Sequence, residues 1–304
     1  MEKFVDVCGV PTKVITWGKS LGETFDKKEM ILFIPGNPGI CGFYVTFLTT
    51  LFKLLQGNVP IWAIGHLGHD EPENTELIPR LRNNKHLYDL NGQVDHKVQF
   101  IRNNIPPDVK ITLIGHSVGT YISLELLKID DIGKRIQHGY FLFPAFEYMA
   151  DTPNGKFYAA TIQKYFRFFY YLVVFLTFLP SFLVRFFIAI FYWTRPVYCD
   201  SELITNTLTV IRPSVLSKIV HLANDEMEKV KEPDYALIKE NKNRLMFYYS
   251  LTDNWTPVTY YERLIGSIEG LEAQISDKHD HAFVLKSSHD MAALVAEWIQ
   301  KNTV

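Results

Sequence analysis

The chain has 304 residues, with 31 Lys and Arg against 33 Asp and Glu and a formal net charge of −2. That length holds one large α/β domain, with or without an insertion, and the near-balance of charge excludes a global basic field for nucleic acid as well as an acidic disordered tail. Three widely spaced cysteines, Cys8, Cys41 and Cys199, exclude a disulfide framework and a cysteine metal site, and point to a reducing compartment.

At the amino end, "MEKFVDVCGVPTKVITW" puts Glu2 and Asp6 where a signal peptide needs a positive end and an apolar core, so a cytosol-facing protein is expected. The Asn254-Trp255-Thr256 sequon is then expected to go unused. Strands are predicted at "TKVITW", "MILFIPG", "PIWAIGH", "KITLIGH", "GYFLFPA", "RLMFYYS" and "AQIS". Several are apolar throughout, as strands buried on both faces of a parallel sheet must be. Between them, "YVTFLTTLFKLLQ", "LNGQVDHKVQFIRNN" and "GTYISLELLKI" carry helical periodicity. Strand and helix in alternation predict a mostly parallel sheet flanked by helices over residues 1–304. From about 150 to 235 the alternation gives way to helices, an insertion between two strands.

"ITLIGHSVGT" carries the chemistry. Gly115-His116-Ser117-Val118-Gly119 fits G-x-S-x-G directly after a strand and before a helix, the setting of a nucleophile elbow. A serine hydroxyl is a poor nucleophile near neutrality and needs a base, itself oriented by an acid, in the chain order Ser, Asp or Glu, His. Asp253 follows "RLMFYYS", and the stretch from there to His281 has room for the helix and strand that adjacent parallel strands require. His279 competes for the base, with His289 less well placed inside the last helix. Asp151 and Asp225 compete for the acid. The oxyanion needs two N–H donors: the amide of Val118, and that of Asn37 in the loop Pro35-Gly36-Asn37-Pro38-Gly39. His66 and His69 in "AIGHLGHD" lack the convergent ligands of a metal site, and the loop after "PIWAIG" that carries them is expected to help line the rim of the active site. No metal and no cofactor are expected.

These motifs make the chain resemble the α/β-hydrolase superfamily. "IPGNPG", "GHSVG", "FPAFEYMADTPNG", "LTDNW", "DHAF" and a central aromatic run look most like the lipid-droplet-associated hydrolases, predicted serine lipases or esterases. The resemblance favours His281 over His279. It implies residence on lipid droplets and the endoplasmic reticulum and a role in turnover of neutral lipid esters, cholesteryl ester or acylglycerol. The oxyanion loop departs from common lipases by opening on Pro35 instead of histidine. Two other outcomes are compatible with the residues: a droplet-binding protein with little turnover, or an acyltransferase that uses the same triad.

The aromatic run, Phe166 to Trp193, has 13 aromatic residues in 28, and no Asp or Glu occurs from Thr152 to Cys199. A single span would leave Ser117 on one side of a bilayer and His281 on the other, which the triad forbids. Pro180 divides the run into arms of about 20 Å each, too short for roughly 30 Å of hydrocarbon. A bent helical pair is expected to dip into a phospholipid monolayer through Phe166, Phe175, Pro180, Phe187 and Trp193, with Lys156, Lys164, Arg167, Arg185 and Arg195 at anionic headgroups and Tyr192 beside Trp193 at the interface. Cap helices shielded by the body are the alternative. It requires a polar water-facing side that these arms lack.

Overall fold

A computed structural model describes residues 1–25, 27–72, 74–195, 197 and 199–302. Eight strands form one sheet: β1 (Glu2–Val7), β2 (Val10–Trp17), β3 (Glu29–Ile34), β4 (Ile61–Ile64), β5 (Lys110–His116), β6 (Ile136–Leu142), β7 (Leu245–Ser250) and β8 (Glu272–Ser276). Their order is β1-β2-β4-β3-β5-β6-β7-β8. β1 and β2 run antiparallel to their neighbours, and all other pairs are parallel.

The helices that matter below are α1 (Val45–Leu54), α2 (Leu90–Asn104), α3 (Val118–Leu127), α4 (Phe166–Leu176), α5 (Ser181–Trp193), α6 (Ser201–Val210), α7 (Pro213–Lys229), α8 (Val258–Ser267) and α9 (Ser288–Asn302). Alternate residues of the central strands feed two cores. Leu32, Ile34, Leu113, Phe141 and Phe247 pack with Phe100 and Ile101 of α2, Ile122 and Leu126 of α3 and Leu264 of α8. Ile31, Phe33, Ile114, Leu142 and Met246 pack with Phe47, Leu48 and Leu51 of α1 and Met291 and Val295 of α9. Burial on both faces is why these strands read as unbroken apolar runs.

All seven predicted strands are present, and one more lies outside that reading. β1 pairs with β2 through the turn Cys8-Gly9, whose φ values of 58 and 75 are those of a hairpin with both central residues left-handed. Its side chains are mostly exposed, so it lacked the apolar signal of a buried strand.

After β6 the chain leaves the body and forms the helical lobe. Tyr148 N–H donates to Lys231 O (2.9 Å) and Met149 N–H to Val230 O (3.1 Å), so the excursion enters and leaves through a backbone seam. α7 is seated on the body: Lys218 donates to Gly68 O (3.0 Å), and Leu90 N–H donates to Asp225 (2.9 Å). α4 and α5 bend apart at Pro180, which takes an extended conformation (ψ 135) where a helix cannot continue.

Candidate active site

Ser117 joins the end of β5 to the start of α3 with φ 52 and ψ −124, a conformation that strains a residue with a side chain. The flanking glycines make the turn possible. A Cβ on Gly119 would lie 2.2 Å from Ile34 O, and one on Gly115 would lie 2.9 Å from Gly119 O. Hydrogen bonds hold the strain in place: Ser117 N–H donates to Leu142 O (2.9 Å), and Ser117 O accepts from Thr120 (2.9 Å) and Ala145 (3.2 Å). The hydroxyl is thereby thrust out at the carboxyl edge of the sheet.

Two loops bring the other members to it. Asp253 lies just beyond β7 and His281 beyond β8. His281 Nε2 is 3.0 Å from Ser117 Oγ, and its Nδ1 is 2.7 Å from Asp253 Oδ2. Nδ1–H donating to a carboxylate leaves Nε2 bare toward the serine, the tautomer a general base requires. Asp253 is buried and also accepts from Trp255 N–H (2.7 Å), Thr256 N–H (3.2 Å) and Thr256 Oγ1 (2.7 Å). Burial alone would raise its pKa. The His281 ring and these donors outweigh burial and hold the carboxyl below the usual carboxylate range.

The competing residues are engaged elsewhere. His279 Nδ1 pairs with the Tyr248 hydroxyl at 2.5 Å, and His289 Nδ1 with Thr50 at 3.0 Å. Asp225 caps the Leu90 amide and pairs with Lys229 at 3.0 Å, and Asp151 is exposed at the start of the lobe.

The Pro35–Gly39 loop lies against Ser117, since a Cβ on Gly36 would come within 2.8 Å of Ser117 Cβ. Gly36 N–H donates to the Tyr44 hydroxyl (3.2 Å), whereas Asn37 N–H donates no hydrogen bond among the described residues. Val118 N–H opens α3, where a helical amide has no partner within the helix. The Asn37 side chain donates to Ile219 O (3.1 Å) and Glu226 Oε1 (3.0 Å), which ties the loop to α7 of the lobe. Burial pushes the Glu226 carboxyl up to about 8, so it is neutral near pH 7.

His66 and His69 are not at a rim. Both are buried: His69 Nδ1 meets Pro38 O at 2.6 Å, and the His66 ring fills the space beside Gly39. They pack against the Pro35–Gly39 loop. Nothing in the spacing of "AIGHLGHD" distinguishes a supporting histidine from a lining one. Tyr44 and Glu226 also went unread, because neither lies in a motif.

The aromatic run is neither shielded nor free. α5 buries one stripe, Val184, Ile188 and Tyr192, against Leu203 of α6, and α4 buries Val173. Outward project Phe168, Tyr171, Phe175, Phe178, Phe182, Phe186, Phe187, Phe191 and Trp193, the last 83% exposed. Phe166 is half-buried, and Pro180 is exposed at the bend. Tyr192 corrects the expectation of an interfacial tyrosine. Its position on the stripe turns it inward, where its hydroxyl pairs with Thr207 Oγ1 at 2.9 Å. No described helix is long and apolar enough to cross a membrane.

Comparison with known proteins agrees with this architecture. Among solved structures, a serine hydrolase from Cycloclasticus zankles superposes with a TM-score of 0.63 at 14% identity, covering 99% of this chain and 98% of the other. An epoxide hydrolase from Vigna radiata gives 0.64 at 14% identity over 99% and 98%. At that identity the likeness establishes the fold, an α/β-hydrolase. By sequence, lipid droplet-associated hydrolases of Drosophila melanogaster and Mus musculus are 40% and 36% identical, covering 99% and 98% of this chain and 98% and 94% of theirs. The family model described as lipid-droplet associated hydrolase matches residues 27–284, and the chain belongs to that family.

Proposed function

We propose that the protein is a serine ester hydrolase acting on neutral lipid esters, cholesteryl ester or acylglycerol, at the surface of lipid droplets and the endoplasmic reticulum, facing the cytosol. The observation that carries this reading is the unbroken line Ser117 Oγ–His281 Nε2–Asp253, 3.0 and 2.7 Å, on a strained elbow beneath a lobe with an exposed aromatic face. Names of relatives at 40% and 36% identity support the hydrolase and the droplet.

In this reading Ser117 Oγ attacks the ester carbonyl as His281 Nε2 takes its proton. The amides of Asn37 and Val118 receive the oxyanion. His281, now an imidazolium beside the Asp253 carboxylate, returns the proton to the departing alcohol. Water, activated by the same imidazole, releases the acid from Ser117. The lobe presents its aromatic face to a phospholipid monolayer through Phe175, Phe187 and Trp193, with Phe166 and Pro180 at the ends of the first arm. Alkyl fluorophosphonate labelling tests the chemistry. Labelling abolished by Ser117→Ala is expected, and labelling that survives the substitution would sink the assignment.

A further inference from the structure

Three hydrogen bonds, two of them buried and the third half-buried, run unbroken from the oxyanion loop to the loop that carries the base. Gly36 N–H donates to Tyr44 Oη at 3.2 Å, Tyr44 Oη lies 2.7 Å from His116 Nδ1, and His116 Nε2 lies 3.0 Å from the backbone carbonyl of His281. Each proton has one allowed position. A carbonyl can only accept, so His116 Nε2 carries a hydrogen. Burial, reinforced by the neighbouring His281 ring, pushes the His116 pKa down to about 3. The imidazole is therefore neutral, Nδ1 is a bare lone pair, and the Tyr44 hydroxyl donates to it. The phenol oxygen is left to accept from Gly36.

The two ends of this chain are the loops that carry the Asn37 amide and the His281 ring. Gly36 sits in a Pro/Gly loop against Ser117, and engaging its amide leaves the next one, Asn37 N–H, as the unpartnered donor. His281 lies in an irregular stretch between β8 and a single helical turn at Phe283–Leu285, and its side chain is tethered at Nδ1 by Asp253. His116 Nε2–H holds the backbone from which that ring projects. The residue that does so is the immediate neighbour of the nucleophile.

We propose that Tyr44 and His116 are positioning residues, which hold the oxyanion amide on one side of Ser117 and the general base on the other in a single register. The proposal rests on the serine-hydrolase reading above and adds two residues that it does not use. Neither touches substrate. Their effect reaches the chemistry through the Asn37 amide and the His281 ring, so their loss lowers the rate of attack and leaves recognition of the acyl portion alone.

The test is fluorophosphonate labelling of the full chain, resolved into kinact and KI, for wild type, Ser117→Ala, Tyr44→Phe, His116→Leu, His116→Gln and Tyr249→Phe. Tyr44→Phe and His116→Leu are expected to lower kinact by about tenfold to a hundredfold, with KI within about twofold. His116→Gln, which keeps an N–H near the His281 carbonyl, recovers part of that loss. Tyr249→Phe removes a buried hydroxyl that makes no hydrogen bond among the described residues, and should label as wild type does. Wild-type kinact in folded Tyr44→Phe and His116→Leu overturns the proposal. So does a rate loss that only matches the fraction unfolded, measured by near-UV circular dichroism. Labelling that ignores Ser117→Ala fails the serine reading instead. Nitrogen-15 shifts of the His116 ring read the chain without any turnover, and a ring that protonates near pH 6.5 also overturns it.

Discussion

Replacing Phe178 and Phe182 together with serine should release the protein from lipid surfaces without unfolding it. The two rings flank the bend at Pro180 and are 79% and 66% exposed, so the fold draws little from their burial. Complete burial of such a side chain contributes about 1.5–3 kcal/mol. Scaled by exposure, insertion of the two rings contributes about 3.5 kcal/mol, a few-hundredfold in partition coefficient. The assay is flotation of purified protein with phosphatidylcholine-coated triacylglycerol droplets, beside a thermal melt. A Val173→Ser variant, altered on the buried stripe of α4, should behave in the opposite way, losing thermal stability first. Unchanged flotation of the double serine variant, with a wild-type melt, refutes the reasoning that this face meets lipid.

Asp253→Asn should leave the fold intact and lower fluorophosphonate labelling by about 10³–10⁴-fold, because an amide no longer enforces the His281 tautomer. Acid should destabilise the protein through its buried neutral histidines. His69 and His116 have pKa values pushed down to about 3, whereas their unfolded counterparts titrate near 6.5. The unfolded chain therefore binds more protons in that window, and stability that is whole above it falls as pH drops. Each ring contributes a loss of about 2 kcal/mol at pH 5, which denaturant titrations at pH 7.5 and pH 5 will measure. Glu226 has the opposite sense. Its raised pKa, about 8, means that the fold keeps a proton which the unfolded chain releases above about 4.5, so its contribution is lost as pH rises through that interval. Glu226→Gln retains an acceptor for Asn37 and removes the titration. Its stability should exceed wild type by about 3 kcal/mol at pH 7, with the gap closing toward pH 4.5.

The sheet was legible because its central strands are buried on both faces and so carry continuous apolar runs. β1 was not, because its edge position leaves Glu2, Phe4 and Asp6 exposed, and its turn uses Cys8-Gly9 instead of the Asn-Gly or Asp-Gly pair that marks such hairpins. Ser117 was legible from local strain, which demands small residues at fixed offsets. Asp253 was readable through chain order, and His281 through chain order together with the "DHAF" resemblance, and the structure brings both to Ser117. Partners that act across the fold leave no such trace. Tyr44 is one aromatic residue in an amphipathic helical stretch, and Glu226 one acid among several on α7. Composition alone pointed to lipid contact along the whole 166–193 run, yet α5 spends Val184, Ile188 and Tyr192 on packing. A uniformly apolar run hides which part of it faces the body.

The paired amides at Tyr148–Lys231 and Met149–Val230 also bear on how this family can vary. They fasten the two ends of a long polymer loop, so the chain entropy of the lobe depends on its contour length only logarithmically, at about 0.6 kcal/mol for each doubling. Helices between the clasped ends can lengthen, shorten or change their greasiness while the clasp itself stays put. The part that meets the outside world is thereby free to drift toward new surfaces without disturbing the strands that assemble the chemistry.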